Sequence, residues 1–354
     1  MRTRFDELRR LRTVVAIAIT LSLGACATPR AGSERNVVPL TPGSVLRAST
    51  LTRALEDDIL AIDPEHVSDT EVRQTLALGP TPRIMSIHGG IYPVHLVMES
   101  FAEFLVRMGY PESAVRDPGS HDLTHSPYEE ARVLAGEVAW YYEHEGVRPM
   151  LVGHSQGGMQ AVKVLYELSG TFDDRIVMFN PLTHREEDRT TFLDPLTGVV
   201  RPITSLKLPY VSSVGAGGLT NLLPNQWIMV ERTFEIPDSV EDFTGFQLGV
   251  DLIALDSSRT RGRYRAIGSA NVRNVHLPAA YSHYYVANVE PLADDANTRD
   301  WLNAWTPALT GQDPPAGINP ENIQWAADVW YSIKEHWVRE AQRFVRARRA
   351  LEAR

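Results

Sequence analysis

Residues 150–158 read MLVGHSQGG. Met150, Leu151 and Val152 make a short apolar run of buried-strand length, and MQAVKVLYEL (159–168) follows with apolar residues at helical spacing. Between them, Gly153-His154-Ser155-Gln156-Gly157 fits G-x-S-x-G. That pattern lifts a serine onto a tight strand-to-helix turn, the nucleophile elbow. Neighbouring chain must pass close to such a turn, so the positions two before and two after the serine have to be small. The helix starting beneath it offers free N–H groups, the donors that a developing oxyanion needs. Alone the pentapeptide says little, because roughly one chain in ten of this length carries it by chance. The strand before it and the helix after it supply the context.

Upstream, RIMSIHGG (83–90) repeats the theme of an apolar strand, Ile84 to Ile87, running into glycines. Acyl transfer needs two backbone N–H donors at its oxyanion. The residue after the serine, Gln156, supplies one, and a glycine loop beside it, with Gly90, supplies the other. His88, Ile91 and His154 flank these positions as candidates to line a substrate pocket. The next segment, VHLVMESFAEFLVRMG (94–109), carries Val97, Phe101, Leu105 and Met108 on one helical stripe. A brief strand is expected around Ala114-Val115. Ser126 as N-cap, Pro127 at the first position and Glu129 completing a capping box then predict a helix continuing through Tyr142. Strand and helix alternate up to the elbow, which implies an α/β fold with a doubly wound, mostly parallel sheet.

His121 and His125 stand four apart, a spacing that suits two metal ligands on a helix. Between them lies Asp-Leu-Thr, without the glutamate of a zinc-protease motif, and Pro118 and Gly119 make the segment a loop. No metal and no organic cofactor is expected. The loop is a candidate wall of the substrate pocket instead.

After the elbow helix, DRIVMFNPLT (174–183) predicts a strand from Ile176 to Phe179. About 60 residues, 184–242, then pass before another convincing strand. This stretch includes TSLKLPYVSSVGAGGLTNLLPNQWIMV, rich in Gly, Leu and Pro, and is read as a lid or cap over an apolar acyl pocket, since uncommonly long insertions tend to be functional.

With RIMSIHGG and VGHSQGG in this order, the chain resembles the α/β-hydrolase superfamily, particularly its lipase and esterase branch, over about residues 80–345. The resemblance implies a triad in the order Ser, Asp or Glu, His, each at the end of a later strand. FTGFQLGVDLIALD (243–256) offers two acids. Asp251 is preferred for its Gly-Val-Asp-Leu-Ile setting, with Asp256 as the alternative. In NVRNVHLPAAYSHYYVAN (271–288), Val272, Val275 and Leu277 belong to the last strand, and His283 falls where the family places its base. His276 is expected to be a packed strand residue, and His336 lies on the final helix. The resemblance further implies hydrolysis of small-molecule or lipid carboxylic esters through an acyl-enzyme. A peptidase, amidase or thioesterase on the same machinery, or a non-catalytic binding lipoprotein, are the alternatives.

The C-terminal segment predicts a long helix with Asn319 as N-cap and Pro320 at its first position. Its apolar stripe runs Ile323, Ala326, Trp330, Ile333, Trp337, Ala341 and Phe344. The arginines gathered near its end suit a helix C-terminus.

At the other end, MRTRFDELRRLR is basic and TVVAIAITLSL is an eleven-residue apolar run, too short to span a bilayer and suited to a signal peptide. Leu23-Gly24-Ala25-Cys26 resembles the lipobox of bacterial lipoproteins. That resemblance implies cleavage of residues 1–25, lipidation of Cys26 and a place at the outer membrane facing the periplasm. Cys26 is the sole cysteine, so no disulfide is available. Residues 26–50 read as a polar tether and 51–354 as the hydrolase domain. Loss of the leader, with five arginines against two acids, takes the net charge from −9 to about −12. Such a balance argues against nucleic acid and against electrostatic docking on anionic lipid, which leaves acyl chains as the expected membrane attachment.

Overall fold

The computed structural model describes residues 40–218, 224–249, 251 and 264–354. The leader, Cys26 and Asp256 lie outside the described residues. Among the described residues no helix is long and apolar enough to cross a membrane.

Five strands form one sheet: β1 (Ile84–Ile87), β2 (Met150–His154), β3 (Leu208–Val214), β4 (Val240–Gln247) and β5 (Asn271–His276). They lie side by side in chain order and every pairing is parallel. The register sets Ile87 opposite Gly153, His154 opposite Val214, Val214 opposite Phe246 and Gln247 opposite His276. All five strands therefore end along one edge, the place where open parallel sheets carry their ligands.

The helices are α1 (Ser44–Ala48), α2 (Arg53–Ala61), α3 (Asp69–Gln74), α4 (Tyr92–Arg107), α5 (Ala131–Glu145), α6 (Gln156–Leu168), α7 (Ala296–Ala304) and α8 (Ile323–Glu352). Helices α4 and α8 share a core with Ile84, Val152 and Phe246 on one face of the sheet. Helices α5 and α6 share the other core with Met85, Leu151 and Phe243. Both faces are thus covered, which is why β1 and β2 read as apolar runs without alternation. The α4 stripe, Val97, Phe101, Leu105 and Met108, is buried as its spacing predicts, and so is the α8 stripe. Ser68 caps α3 with a complete capping box.

Several local expectations are corrected. Ala114-Val115 is not a strand; Glu112–Ala114 is a 3₁₀ turn, and among the described residues the outer edge of β1 is met by a parallel bridge from His125 to Ile87. The helix expected from Ser126 starts at Ala131, with Glu130 at its N-cap. Ser126 caps a turn instead, its Oγ accepting from the Tyr128 N–H. Gln160 on α6 holds Glu129's carbonyl in that turn. Likewise Asn319 accepts from the Glu321 N–H, and α8 begins only at Ile323, after Asn322 in the left-handed conformation.

The strand expected at Ile176 to Phe179 forms as Met178–Asn180, outside the sheet, and pairs antiparallel with Arg185–Glu187. Most consequentially, residues 184–242 are not one insertion, because β3 runs through them as a fully buried central strand. Nor are residues 26–50 all tether: α1 buries Leu46 in a small cluster with Val147 and Phe344. The arginines late in α8 are engaged within the fold, Arg348 and Arg349 on the buried Glu56 and Arg343 on Glu340.

Candidate active site

Ser155 sits between β2 and α6 with φ 56° and ψ −122°, a strained conformation for a residue with a side chain. The surroundings hold it there. Its N–H donates to Val214's carbonyl at the end of β3, at 2.8 Å. A Cβ on Gly153 would overlap Gly157's carbonyl oxygen, and one on Gly157 would overlap the carbonyl oxygens of Ile87 and His88. The two glycines of G-x-S-x-G are therefore required by backbone packing between the elbow and β1.

Three further loops bring their residues to the same point. His283, seven residues beyond β5, places Nε2 2.9 Å from Ser155 Oγ. Asp251, just after β4, accepts from His283 Nδ1 at 2.6 Å. All three groups are buried, and the carboxylate defines the tautomer: Nδ1 carries the proton and Nε2 is free to accept from the serine hydroxyl. Gly215, following β3 with φ +65°, lies beneath the imidazole, and a Cβ there would stand 3.0 Å from His283 Nδ1. Nothing in its sequence context marked Gly215. An arrangement of this kind can take a proton from Ser155 while the carboxylate stabilises the resulting imidazolium.

Compared with known protein families, with curated proteins and with solved structures, the chain matches none.

The β1 loop lies against the serine. A Cβ on Gly89 would approach Ser155 Cβ to 3.1 Å, and one on Gly90 would overlap the Gln156 side chain. Two hydrogen bonds orient this loop. His88 Nδ1 lies 2.7 Å from Gly89's carbonyl, and Tyr128's hydroxyl donates to Gly90's carbonyl at 2.7 Å. Burial pushes the His88 imidazole down to about 4, so it is neutral and donates from Nδ1. A trans peptide opposes its C=O and N–H, so the bond to Gly89's carbonyl turns the Gly90 N–H away from His88. Gln156 is the first residue of α6, where the N–H has no partner within its helix. Tyr128 is a residue that sequence reasoning missed. Its role depends on a contact 38 positions away.

The remaining candidates separate. His154 lies inside the fold. It is fully buried, and its Nε2–H donates to His283's carbonyl at 2.7 Å, fastening the histidine loop to β2. Burial holds it neutral, with its pKa pushed down to about 3. Ile91 is half exposed at the start of α4. His276 is exposed at the end of β5 rather than packed in the core. His336 is buried on α8, with Nε2 2.9 Å from Asp242. His125 lines a cavity beside the β1 loop, while His121 sits in a turn with φ 68°. Among the described residues, no three His, Cys, Asp or Glu side chains are placed to hold a metal ion.

Proposed function

We propose that this chain is a serine hydrolase of carboxylic esters with an α/β-hydrolase fold, related in design to lipases and esterases. The observation that carries the reading is the line of contacts from Ser155 Oγ through His283 to Asp251, at 2.9 and 2.6 Å, ending on a serine held in a strained turn. Three side chains from the ends of three strands, separated by up to 128 positions, meet in the order and tautomer that acyl transfer needs.

In this reading Ser155 attacks the ester carbonyl and His283 accepts its proton. The tetrahedral oxyanion takes hydrogen bonds from the N–H groups of Gln156 and Gly90. His283 then returns the proton to the departing alcohol, leaving an acyl-enzyme on Ser155. Water, deprotonated by His283, attacks that acyl group, and His283 returns the proton to Ser155 Oγ as the acid departs. Asp251 keeps the imidazole oriented throughout. His88 and Tyr128 act as positioning residues for the oxyanion loop. The basic leader, the apolar run and Leu-Gly-Ala-Cys26 support secretion and attachment to the outer membrane by acyl chains, with the domain facing the periplasm.

A fluorophosphonate probe tests the activity. Wild-type protein is expected to be labelled at Ser155 and Ser155→Ala to stay unlabelled. Equal labelling of the two, or none of wild type, overturns the reading.

A further inference from the structure

A cavity of about 340 Å³ adjoins the oxyanion loop, with His88 in its wall. Among the described residues the wall carries five carboxylates (Glu99, Asp117, Asp122, Glu129 and Glu137), four imidazoles, and no lysine or arginine. Acidic surface alone is common, and most of it is simply solvated. Glu137 is different, because its side chain is only 3% exposed. Tyr141's hydroxyl donates to Oε1 at 3.0 Å, but Oε2 has no hydrogen bond among the described residues. His125 Nδ1 stands 3.9 Å from that oxygen and 4.0 Å from Glu129 Oε2, both beyond hydrogen-bond length. Two carboxylates and an imidazole thus face one another in the cavity wall without a hydrogen bond between them. A buried carboxylate left this way favours its neutral form, and burial raises Glu137 to about 8 and Glu129 to about 7.

A cation with its own donors would favour the ionised carboxylates instead. A metal ion needs three or more ligating atoms converging at close to 2 Å, and no such group exists among the described residues. An ammonium or guanidinium is larger. It bonds at about 2.8 Å and can serve several carboxylates at once through separate N–H groups. The acidic balance of the chain works in the same direction by drawing cations toward the fold.

We propose that this cavity is a subsite for an organic cation, an ammonium or guanidinium group carried on one arm of the substrate. His88 connects the two sites: it lines the cavity and holds the Gly89 carbonyl, while Gly89 itself packs against Ser155. Glu129 connects them a second time, through the bond from Gln160 on the elbow helix. Binding of a free cation stands on the cavity alone; selection of cationic substrates rests also on the hydrolase reading.

The full chain is titrated calorimetrically with n-butylammonium chloride and, in parallel, with n-butanol. Saturable one-to-one binding of the ammonium alone is expected, weakened at least tenfold in Glu137→Gln and in Glu129→Gln. Glu129 is less buried, so its variant keeps the test open if Glu137→Gln fails to fold. In turnover, the p-nitrophenyl ester of 6-aminohexanoate is expected to exceed that of heptanoate at least tenfold in kcat/KM, with the ratio falling toward one in both variants. Absent ammonium binding, equal binding to wild type and variants, or one-to-one binding of Zn²⁺ or Ca²⁺ that the ammonium cannot displace overturns the subsite. Fluorophosphonate labelling separates the two ideas. Labelling of Ser155 without an ammonium effect sinks the subsite alone, and missing labelling sinks the hydrolase reading while calorimetry still judges the cavity.

Discussion

His154 and His283 are joined by a hydrogen bond from the Nε2–H of the first to the main-chain carbonyl of the second, at 2.7 Å, with their rings 5.4 Å apart. The residue immediately before the nucleophile thereby holds the loop that carries the base. His154→Phe keeps a planar ring in the fold but leaves a buried carbonyl without its donor, at a cost of about 1–3 kcal/mol in stability. Small displacements of reacting groups cost up to ~100-fold in rate. The variant is expected to lose 10- to 100-fold in kcat, with little change in KM, for p-nitrophenyl butanoate. Unchanged kcat would show that the histidine loop positions itself.

Gly157 tests why the elbow needs its glycines. A Cβ there meets two backbone carbonyl oxygens of the β1 end, which cannot rotate away as a side chain can. Gly157→Ala is expected to lose more than ~2 kcal/mol in urea unfolding, within the range known for overpacked cores. Gly311→Ala serves as the comparison. Its position is open, so only its positive φ opposes the change, and a loss of about 1 kcal/mol is expected. Equal losses at the two positions would refute the packing argument.

How far the sequence revealed this arrangement depends on the range of the contacts involved. Ser155 was legible because its strand, turn and helix are contiguous, and His283 and Asp251 because the resemblance supplied an order for them. The central strand β3 was hidden by Pro209 and by Ser212 and Ser213, which are buried although their residue types suggest a loop. Ser126 and Asn319 looked like helix caps, and both do bond backbone N–H groups two residues on, but within turns. Telling the two apart takes tertiary contacts, Gln160 on Glu129 in one case and Asn322 on Tyr285 in the other. Gly215, Tyr128 and the role of His154 rest wholly on such distant partners.

On sequence grounds Asp251 and Asp256 are both open as the acid; the structure brings Asp251 to His283, and Asp256 lies outside the described residues. Asp251→Asn keeps the size of the side chain but favours the wrong imidazole tautomer, so under the proposed mechanism kcat is expected to fall on the order of 10³- to 10⁴-fold. Asp256→Asn is expected to change kcat less than twofold. Comparable losses in the two variants, measured as burst and steady-state rates, would return the acid to question.

The buried titratable groups set opposite limits on stability. His88 and His154 have folded pKa values of about 4 and about 3, below the ~6.5 of an unfolded histidine. The unfolded chain binds more protons across that interval, so their contribution is complete above pH ~6.5 and is lost as pH falls toward 4 and 3. Glu129 and Glu137, raised to about 7 and about 8, act in reverse. Their contribution is complete below the unfolded carboxylate pKa of ~4.3 and is lost as pH rises through 7 and 8. Urea unfolding of wild type is therefore expected to show greatest stability in mildly acidic solution and a decline on both sides. Glu137→Gln needs no proton to stay neutral. Its stability relative to wild type should rise by at least about 1 kcal/mol between pH 5 and pH 9. A difference that stays flat over that range would mean that Glu137 is already ionised in the folded chain at neutral pH.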